Sequence, residues 1–381
     1  MKLINADDAR EMARRRLPRI FFDYIDGGSF DEATLRANRA DFGRWQLVQK
    51  VLVNPEKRDL STSFLGERHP LPFMLGPVGF LGLYAGKGER EAARAAHAAG
   101  LPLCLSSFSI ASLAELRRET TGSLHFQLYI LKDRSLCEEL LLEAEKAGVH
   151  TLFLTVDTAI TSVREKDLRN GFRSLTKVSP ALLLQMLMRP SWFADIMRAG
   201  APQVGAVAHR PEFGKGVLEQ VSNLSRSIDQ TLSWRDVAWL RQRWRGRLVV
   251  KGILSTNDAL RAKQEGADAV VISNHGGRQL DCATSTISVL PEIAGAVGDG
   301  LEILIDGGFR RGSDVVKALA LGADGVLLGR AYAFGLAAAG SSGVSAMIEA
   351  IATEIDITLA LMGIASVDEL KSLGTSVLRP A

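Results

Sequence analysis

LVVKGILSTNDALRAKQEGADAVVISNHGGRQLD, residues 248–281, is the stretch on which the fold turns. Two short apolar runs, LVVKGI (248–253) and AVVISNH (269–275), flank STNDALRAKQEGA (255–267), which spaces its apolar residues at i, i+3 and i+4 before a glycine. The runs have strand length, and the segment between them has the period of a helix with a glycine C-cap. Strand, helix and strand in that order make a unit with parallel strands, because the crossover helix returns the chain to the same end of the sheet.

The same rhythm extends in both directions. PFMLGPV (72–78), LPLCLSS (101–107), LHFQLYI (124–130) and TLFLTVD (151–157) precede the stretch, while EILIDGG (302–308) and GVLLGR (325–330) follow it. GEREAARAAHAAG (88–100) and SDVVKALALGA (313–323) repeat the helical spacing and the glycine. Eight strands alternating with helices predict an α/β fold, a (β/α)8 TIM barrel forming one domain over residues 1–381. Residues 1 to about 70 are expected to add N-terminal helices at the base or mouth, and the chain from about 331 to add packing helices. Only one interval breaks the pattern. Roughly ninety residues separate the fourth and fifth runs, where two to six is usual, so this insertion after strand 4 is expected to have its own purpose.

Composition narrows the classes of function. With 46% hydrophobic residues, 23% charged residues and 36 glycines, the chain is not globally disordered. A formal charge of +3 is too small to imply a nucleic-acid partner. Cys104, Cys137 and Cys282 lie far apart without CxxC spacing, which argues against a disulfide framework or a zinc site; no metal is expected, and a reducing compartment is. The opening MKLINADDAREMARRR lacks the apolar core of a secretory signal, and no run reaches the ~18 apolar residues of a spanning helix, so a cytoplasmic location is expected.

In such a barrel the chemistry sits at the C-terminal ends of the strands. There the runs carry Gly79, Ser106, Gln127 with Tyr129, Thr155 with Asp157, Lys251, Ser273 with His275, Asp306, and Gly329 with Arg330. Within SNHGGRQLD (273–281), His275 and Arg278 lie three residues apart around two glycines. An imidazole that accepts a proton near neutral pH thus converges with a guanidinium that grips a carboxylate through paired hydrogen bonds. The implied substrate has a carboxylate beside a removable proton. Asp157 can orient the imidazole and stabilise its cation, although an aspartate closing a strand also suits a turn. IDGGFRRGSDVVKALALGADGVLLGR (305–330) places glycines and arginines after the seventh and eighth strands, the usual phosphate site of this fold. No GxGxxG follows the first strand and no P-loop occurs, which leaves a mononucleotide cofactor or a sugar phosphate. Lys251 is either a Schiff-base lysine or a fixed positive charge beside an electron-accepting ring.

These residues resemble the FMN-dependent enzymes that oxidise 2-hydroxy acids, a family that includes L-lactate dehydrogenases, (S)-mandelate dehydrogenases and glycolate oxidases. The resemblance spans nearly the whole chain. It is carried by FDYIDGG (22–28), GPVG (76–79), FQLY (126–129), TVD (155–157), REKDLRN (164–170), VKGI (250–253), SNHGGRQLD, DGGFRRG (306–312) and LGR (328–330). It implies oxidation of an L-2-hydroxy acid to the 2-oxo acid, with FMN as cofactor and a quinone or other carrier as electron acceptor. By the same resemblance His275 takes the proton with Asp157 behind it, Arg278 and Tyr24 hold the substrate carboxylate, Tyr129 bonds its hydroxyl and Arg164 adds positive potential. Lys251 would stabilise negative charge on the ring, Ser106, Gln127, Thr155 and Ser273 would bond the ring, and the backbone around Gly79 would face N5. Gly308, Arg310, Gly329 and Arg330 would bind the phosphate, and Asp306 the ribityl hydroxyls.

In the family, glycine at the position of Gly79 accompanies dehydrogenases and alanine accompanies oxidases. The alternatives are an oxidase that uses O2 and a Schiff-base aldolase built on Lys251. Phe108 narrows the pocket and favours lactate, whereas QLDCA (279–283) and DGGFRRGSDVVKALALGAD (306–324) look more like mandelate dehydrogenases. TAITSV (158–163) lacks the proline that many relatives carry after the aspartate, so the loop to Arg164 is expected to differ in shape. The resemblance also implies a homotetramer.

Residues 171–215 of the insertion stand apart. Over 169–215, Arg169, Arg173, Lys177, Arg189, Arg198, Arg210 and Lys215 are opposed only by Asp195 and Glu212, a net +5. Between them runs PALLLQMLMRPSWFADIM (180–197), whose leucines, methionines, Trp192 and Phe193 are too few to span a bilayer but suit an interfacial helix or hairpin. The segment is expected either to hold the protein peripherally on the cytoplasmic face of the inner membrane, with its basic residues toward anionic lipid, or to act as a lid.

Overall fold

A computed structural model describes residues 2–53, 55–172 and 179–381. Eight parallel strands close into a barrel: β1 (Phe73–Leu75), β2 (Leu103–Ser106), β3 (Leu124–Leu128), β4 (Thr151–Thr155), β5 (Arg247–Ile253), β6 (Ala269–Ile272), β7 (Glu302–Ile305) and β8 (Gly325–Leu328). Each coincides with one of the apolar runs, and β8 completes the ring by pairing Val326, Leu327 and Leu328 with Phe73, Met74 and Leu75.

The alternation of side chains along the strands builds two cores. Met74, Cys104, Phe153, Val249, Val271, Leu304 and Leu327 fill the barrel. Their strand neighbours, among them Leu75, Leu105, Leu152, Val250, Val270, Ile303 and Leu328, belong to the larger core shared with the helices. The hairpin of Thr62–Phe64 and Glu67–His69 adds Phe64 and Leu65 to the inner core. Glu302, at the start of β7, accepts from Leu65 N and Arg247, so the hairpin plugs the N-terminal end and leaves the opposite mouth for chemistry.

Helices Gly88–Ala98, Thr256–Gln264 and Gly312–Ala320 occupy crossovers, each followed by a left-handed glycine, Gly100, Gly266 or Gly322. Helix Ala6–Arg16 packs its buried Ala6, Ala9 and Ala13 against the helical run Arg330–Met362, which is broken at Ala339 and Gly340. Helix Arg19–Asp26 carries Tyr24 to the mouth. Trp45–Leu47 pairs with Leu378–Pro380.

The insertion holds helices Glu165–Asn170, Pro180–Leu187, Pro190–Ala199 and Val217–Ser227 before Trp234–Arg243 leads into β5. One expectation is corrected here. Trp192 does not face outward: it is buried, donates its indole N–H to Leu83 O at 2.9 Å and lies 5.3 Å from the Phe21 ring, while Phe193 packs half-buried on the core. An indole satisfied by a backbone carbonyl gains more from this burial than from an exposed position. The outward apolar residues are Leu183, Leu184, Leu187, Met188 and Met197. Asp195 pairs with Arg16 at 2.6 Å and so ties the segment to the barrel. Arg173 and Lys177, counted in the charge of this segment, lie outside the described residues. No helix among the described residues is long and apolar enough to cross a membrane.

Candidate active site

Tyr24, Gly79, Ser106, Gln127, Tyr129, Thr155, Arg164, Lys251, His275, Arg278, Asp306, Gly308, Arg310, Gly329 and Arg330 all line one cavity of about 530 Å³ at the barrel mouth. Asp157 and Ser273 stand behind its wall. Residues from the first helices, all eight strand ends and the insertion thus meet in one place.

The loop after β6 holds the center of the site. His275, Gly276 and Gly277 are left-handed in succession, with φ of 56°, 66° and 74°, and a Cβ on Gly277 would lie 2.6 Å from Leu35 N, so only glycine fits there. This turn swings the imidazole into the mouth, where Nδ1 meets Asp157 Oδ1 at 2.9 Å. With Nδ1 engaged by the carboxylate, Nε2 is left as the proton acceptor. Burial lowers the pKa of His275 despite the opposing pull of Asp157, so the imidazole is the free base at neutral pH. Burial works against the charge of Asp157 too, but His275 and Lys251 outweigh it and hold the carboxyl below its usual range.

Asn274, Gln279 and Asp281 of SNHGGRQLD hold the loop in place. Asn274 and Asn38 exchange hydrogen bonds of 2.7 and 2.8 Å, Gln279 donates to Asp157 O and Ile160 O at 2.8 Å each, and Asp281 accepts from Ala33 N and Thr34 N at the start of helix Ala33–Ala40.

Gly252 explains the glycine of VKGI. The pairing of β5 with β6 shifts register between Lys251 and Ile253, Gly252 has φ 115°, and a Cβ there would lie 2.7 Å from Asp157 Cβ. Bulges of this kind re-aim side chains beside active sites. Gly252→Ala is expected to push Asp157 off His275 and to lower turnover about a hundredfold, the scale of a 1 Å misplacement. Steady-state kinetics check this, and an undiminished kcat would mean that Asp157 does not need its present place.

A cationic wall faces the histidine. Arg278 Nη1 donates to Tyr24 O at 2.7 Å and Gly27 O at 2.8 Å, its guanidinium lies 4.8 Å from the Tyr24 ring centre, and Arg164 Nε donates to Arg278 O at 3.3 Å. FDYIDGG is thereby threaded against SNHGGRQLD. Arg330 donates to Ile25 O, Gly27 O and Gly276 O, and Arg310 to Phe309 O. Burial pushes Arg310 down to about 10 and Arg330 well below its usual value. Neither guanidinium forms an ion pair among the described residues, so both favour an anion beside the left-handed Gly308.

At the inner wall Lys251 Nζ lies 2.8 Å from Asp306 Oδ2 and donates to Ser273 Oγ at 2.8 Å. Burial disfavours its charge, but Asp306 and Asp157 prevail and raise its pKa. Lys251 is therefore a fixed cation and not the neutral amine that a Schiff base requires. Ser273, expected on the ring, does not line the cavity; its hydroxyl is taken up by Lys251 and by the backbone N of His275. Ser106 Oγ donates to Gln127 Oε1 at 2.9 Å, while Gln127 Nε2 and Asp306 Oδ1 are buried without a partner among the described residues. Buried polar atoms of this kind call for a ligand. Burial, with Asp157 adding to it, raises the Tyr129 hydroxyl pKa and keeps it protonated. A Cβ on Gly79 would lie 3.0 Å from Phe108 Cβ, so the glycine and the phenyl ring are sterically coupled.

Among the lining residues that sequence reasoning missed are Phe80, Phe172, Leu218 and Val221. Phe80 directly follows GPVG and was within reach of that motif. Phe172 stacks on Tyr24 with ring centres 4.3 Å apart, a contact between distant segments, and Leu218 and Val221 have the spacing of any core-facing helix.

The chain matches the FMN-dependent dehydrogenase family over residues 13–376. It is 45% identical over 370 residues to an L-lactate dehydrogenase of Caulobacter vibrioides, covering 96% of each chain. It is 42% identical over 369 residues to an (S)-mandelate dehydrogenase of Pseudomonas putida, covering 97% of this chain and 92% of that one. The crystal structure of a monotopic membrane protein, (S)-mandelate dehydrogenase, superimposes with a TM-score of 0.94 at 40% identity over the full length of both chains. The chain therefore belongs to the FMN-dependent dehydrogenase family.

Proposed function

We propose that this enzyme oxidises L-2-hydroxy acids to 2-oxo acids and passes the electrons to a quinone or similar carrier. The observation that carries this reading is the neutral, aspartate-backed His275 facing a cavity that Arg278, Tyr24 and Tyr129 also line. The residues fit FMN: Gln127 Nε2 and Asp306 Oδ1 are buried without partners among the described residues, and the buried Arg310 and half-buried Arg330 are cations suited to its phosphate. Bound FMN supplies the two-electron acceptor. Arg278 and Tyr24 hold the substrate carboxylate, Tyr129 bonds the hydroxyl, and His275 Nε2 receives the proton while Asp157 stabilises the resulting imidazolium. Lys251 provides the positive charge against which electrons are delivered, held in place by Asp306 and Ser273.

The test is anaerobic exposure of the holoenzyme to glycolate, L-lactate, (S)-mandelate and the D enantiomers. Loss of visible flavin absorbance with L forms and none with D forms is the expected result. No loss with any of them would overturn the reading. A stoichiometric yield of hydrogen peroxide in air would make the enzyme an oxidase instead.

The insertion, within the single domain of residues 1–381, we read as a seat on a membrane surface where a quinone is at hand. Five exposed apolar side chains on Pro180–Leu187, Pro190–Ala199 and the link between them support this, as does the likeness to a monotopic membrane protein. Burying such side chains stabilises by roughly 1.5–3 kcal/mol each when complete. Because Trp192 is structural, point variants suit the test better than deletion. Replacing Leu183, Leu184, Leu187 and Met197 together by serine is expected to move the enzyme from the membrane fraction to the soluble one with flavin reduction retained. An intact protein that is fully soluble at low salt would rule the membrane seat out.

A further inference from the structure

A second cavity, of about 860 Å³, lies behind the wall of the first. Gly79, Phe80 and Phe108 line the active-site cavity, while Gly82 and Ile110, a few residues further along the same two loops, line the second. Phe80 N donates to Phe108 O at 3.0 Å, and a Cβ on Gly82 would lie 2.7 Å from Ile110 Cβ, so the loops run side by side from one cavity to the other. The step from Gly79 to Gly82 spans at most roughly 11 Å of extended chain.

The outer wall comes from the insertion. Ile196 and Ala199 belong to helix Pro190–Ala199, whose exposed Met197 is part of the membrane seat read above, and the chain beyond it adds Pro202, Gly205 and His209. Gly205 N donates to Ser109 O at 2.9 Å, and a Cβ there would lie 2.4 Å from Ala111 C. This segment is therefore pressed onto the loop that carries Phe108, and the cavity lies between the insertion and the back of the flavin site.

Glu89 lines the cavity and has no part in the chemistry described above. It is 1% exposed, its Oε1 accepts from Ile110 N at 2.8 Å, and its Oε2 is buried without a partner among the described residues. Such an atom calls for a ligand. Burial pushes the carboxyl up to about 7, so near neutrality it is shared between an acid that donates a hydrogen bond and a carboxylate that accepts one. The charged groups that share the cavity are Lys87 and Arg90 at its own helix end, Glu115, Arg117 and Arg118 of helix Leu113–Glu119, Glu143 and Lys146 of helix Arg134–Lys146, and His209. Tyr84 and Tyr332, kept protonated by burial, stand near it.

We propose that this cavity takes the quinone, its ring among Ile110, Ala111, Ile196 and Ala199, one carbonyl oxygen toward Glu89 and its tail leaving beside Met197. The proposal rests on the carrier named in the proposed function and gives it a place apart from the substrate. A quinone is a flat apolar ring whose carbonyl acceptors become hydroxyl donors on reduction, and Glu89 matches both states, as acid and then as carboxylate. Two electrons cross the partition from the reduced cofactor. Two protons join the quinone oxygens, one from Glu89 and one from water at the rim, so both C=O groups become C–OH and a quinol leaves. The cofactor returns to its oxidised form, the protons taken from the substrate's O–H and C–H pass to solvent, and Glu89 regains its own from solvent.

The test follows the holoenzyme with decylubiquinone in anaerobic stopped flow. Reoxidation of the substrate-reduced flavin is expected to saturate with quinone and to slow as the pH rises through about 7, where Glu89 loses its proton. Ala114→Trp puts an indole into the cavity from an exposed position. It is expected to leave flavin reduction by substrate unchanged and to weaken calorimetric binding of decylubiquinone to the oxidised enzyme at least tenfold. Glu89→Gln keeps an acceptor for Ile110 N, and is expected to slow reoxidation at saturating quinone about a hundredfold and to abolish the limb near pH 7. If that variant does not fold, Ala114→Trp decides alone. A limb that survives Glu89→Gln, or that His209→Asn removes instead, would overturn the role of Glu89. Reoxidation that pyruvate blocks competitively and Ala114→Trp leaves unchanged would put the quinone in the substrate cavity and overturn the site. If no 2-hydroxy acid reduces the flavin, dithionite-reduced holoenzyme replaces it: reoxidation by decylubiquinone that Ala114→Trp slows then keeps the quinone site while the proposed oxidation fails.

Discussion

His275→Gln is expected to retain FMN and to lower the rate of anaerobic flavin reduction about 10²- to 10⁴-fold, the range for loss of a general base. Glutamine can still reach Asp157 from this left-handed position, but it has no atom that takes up a proton near pH 7. The pH profile carries the same argument. The pKa of His275 is depressed, first of all by burial, so the reactive free base persists from alkaline pH down through neutrality. kcat/KM should therefore be level around pH 7 and fall only below the ordinary imidazole value of about 6.5. In the glutamine variant that acid limb should vanish along with most of the rate. Wild-type reduction, or an unaltered acid limb, would remove His275 from the proton transfer.

Arg278→Lys, although it keeps the charge, is expected to cost about a hundredfold in kcat/KM. One nitrogen of Arg278, Nη1, already serves two backbone carbonyls, Tyr24 O and Gly27 O, and among the described residues the remaining guanidinium nitrogens have no hydrogen-bond acceptor and are open to a carboxylate. A single ammonium group cannot hold that junction and grip a carboxylate in two places. The guanidinium also lies against the Tyr24 ring, so the substitution loosens both members of the clamp. The damage should appear in KM and in kcat together, because a badly held carboxylate also misdirects C2. A change in KM alone would assign Arg278 to binding without orientation, and unchanged kinetics would remove it from the clamp.

Much of the site was legible because the barrel places strand ends together whatever the loops do. Ser106, Gln127, Thr155, Lys251 and Asp306 are read from position alone, once the eight runs are counted. The role of Lys251 was not legible: whether it is an amine or a fixed cation depends on Asp306 at 2.8 Å, a residue far from it in the chain. The turn of Ser273 toward Lys251 was not legible for the same reason, since a position at a strand end does not record it. Trp192 was grouped with the surface leucines because helical spacing does not reveal which side the barrel occupies.

By itself, the sequence determined the architecture and the chemical inventory. Short apolar runs and period-3.6 segments are local, and these local signals suffice to order eight strands and the helices between them. Only the tertiary structure decided which groups are charged, which helix face looks into the cavity and which glycines are steric necessities. Protonation depends on desolvation and on partners brought from elsewhere, as with His275 and Asp157. The orientation of Val217–Ser227 depends on what Gln220 and Leu224 meet. Gly252 must be glycine because Asp157 of the neighbouring strand occupies the space a Cβ would take, and nothing local to VKGI records that contact.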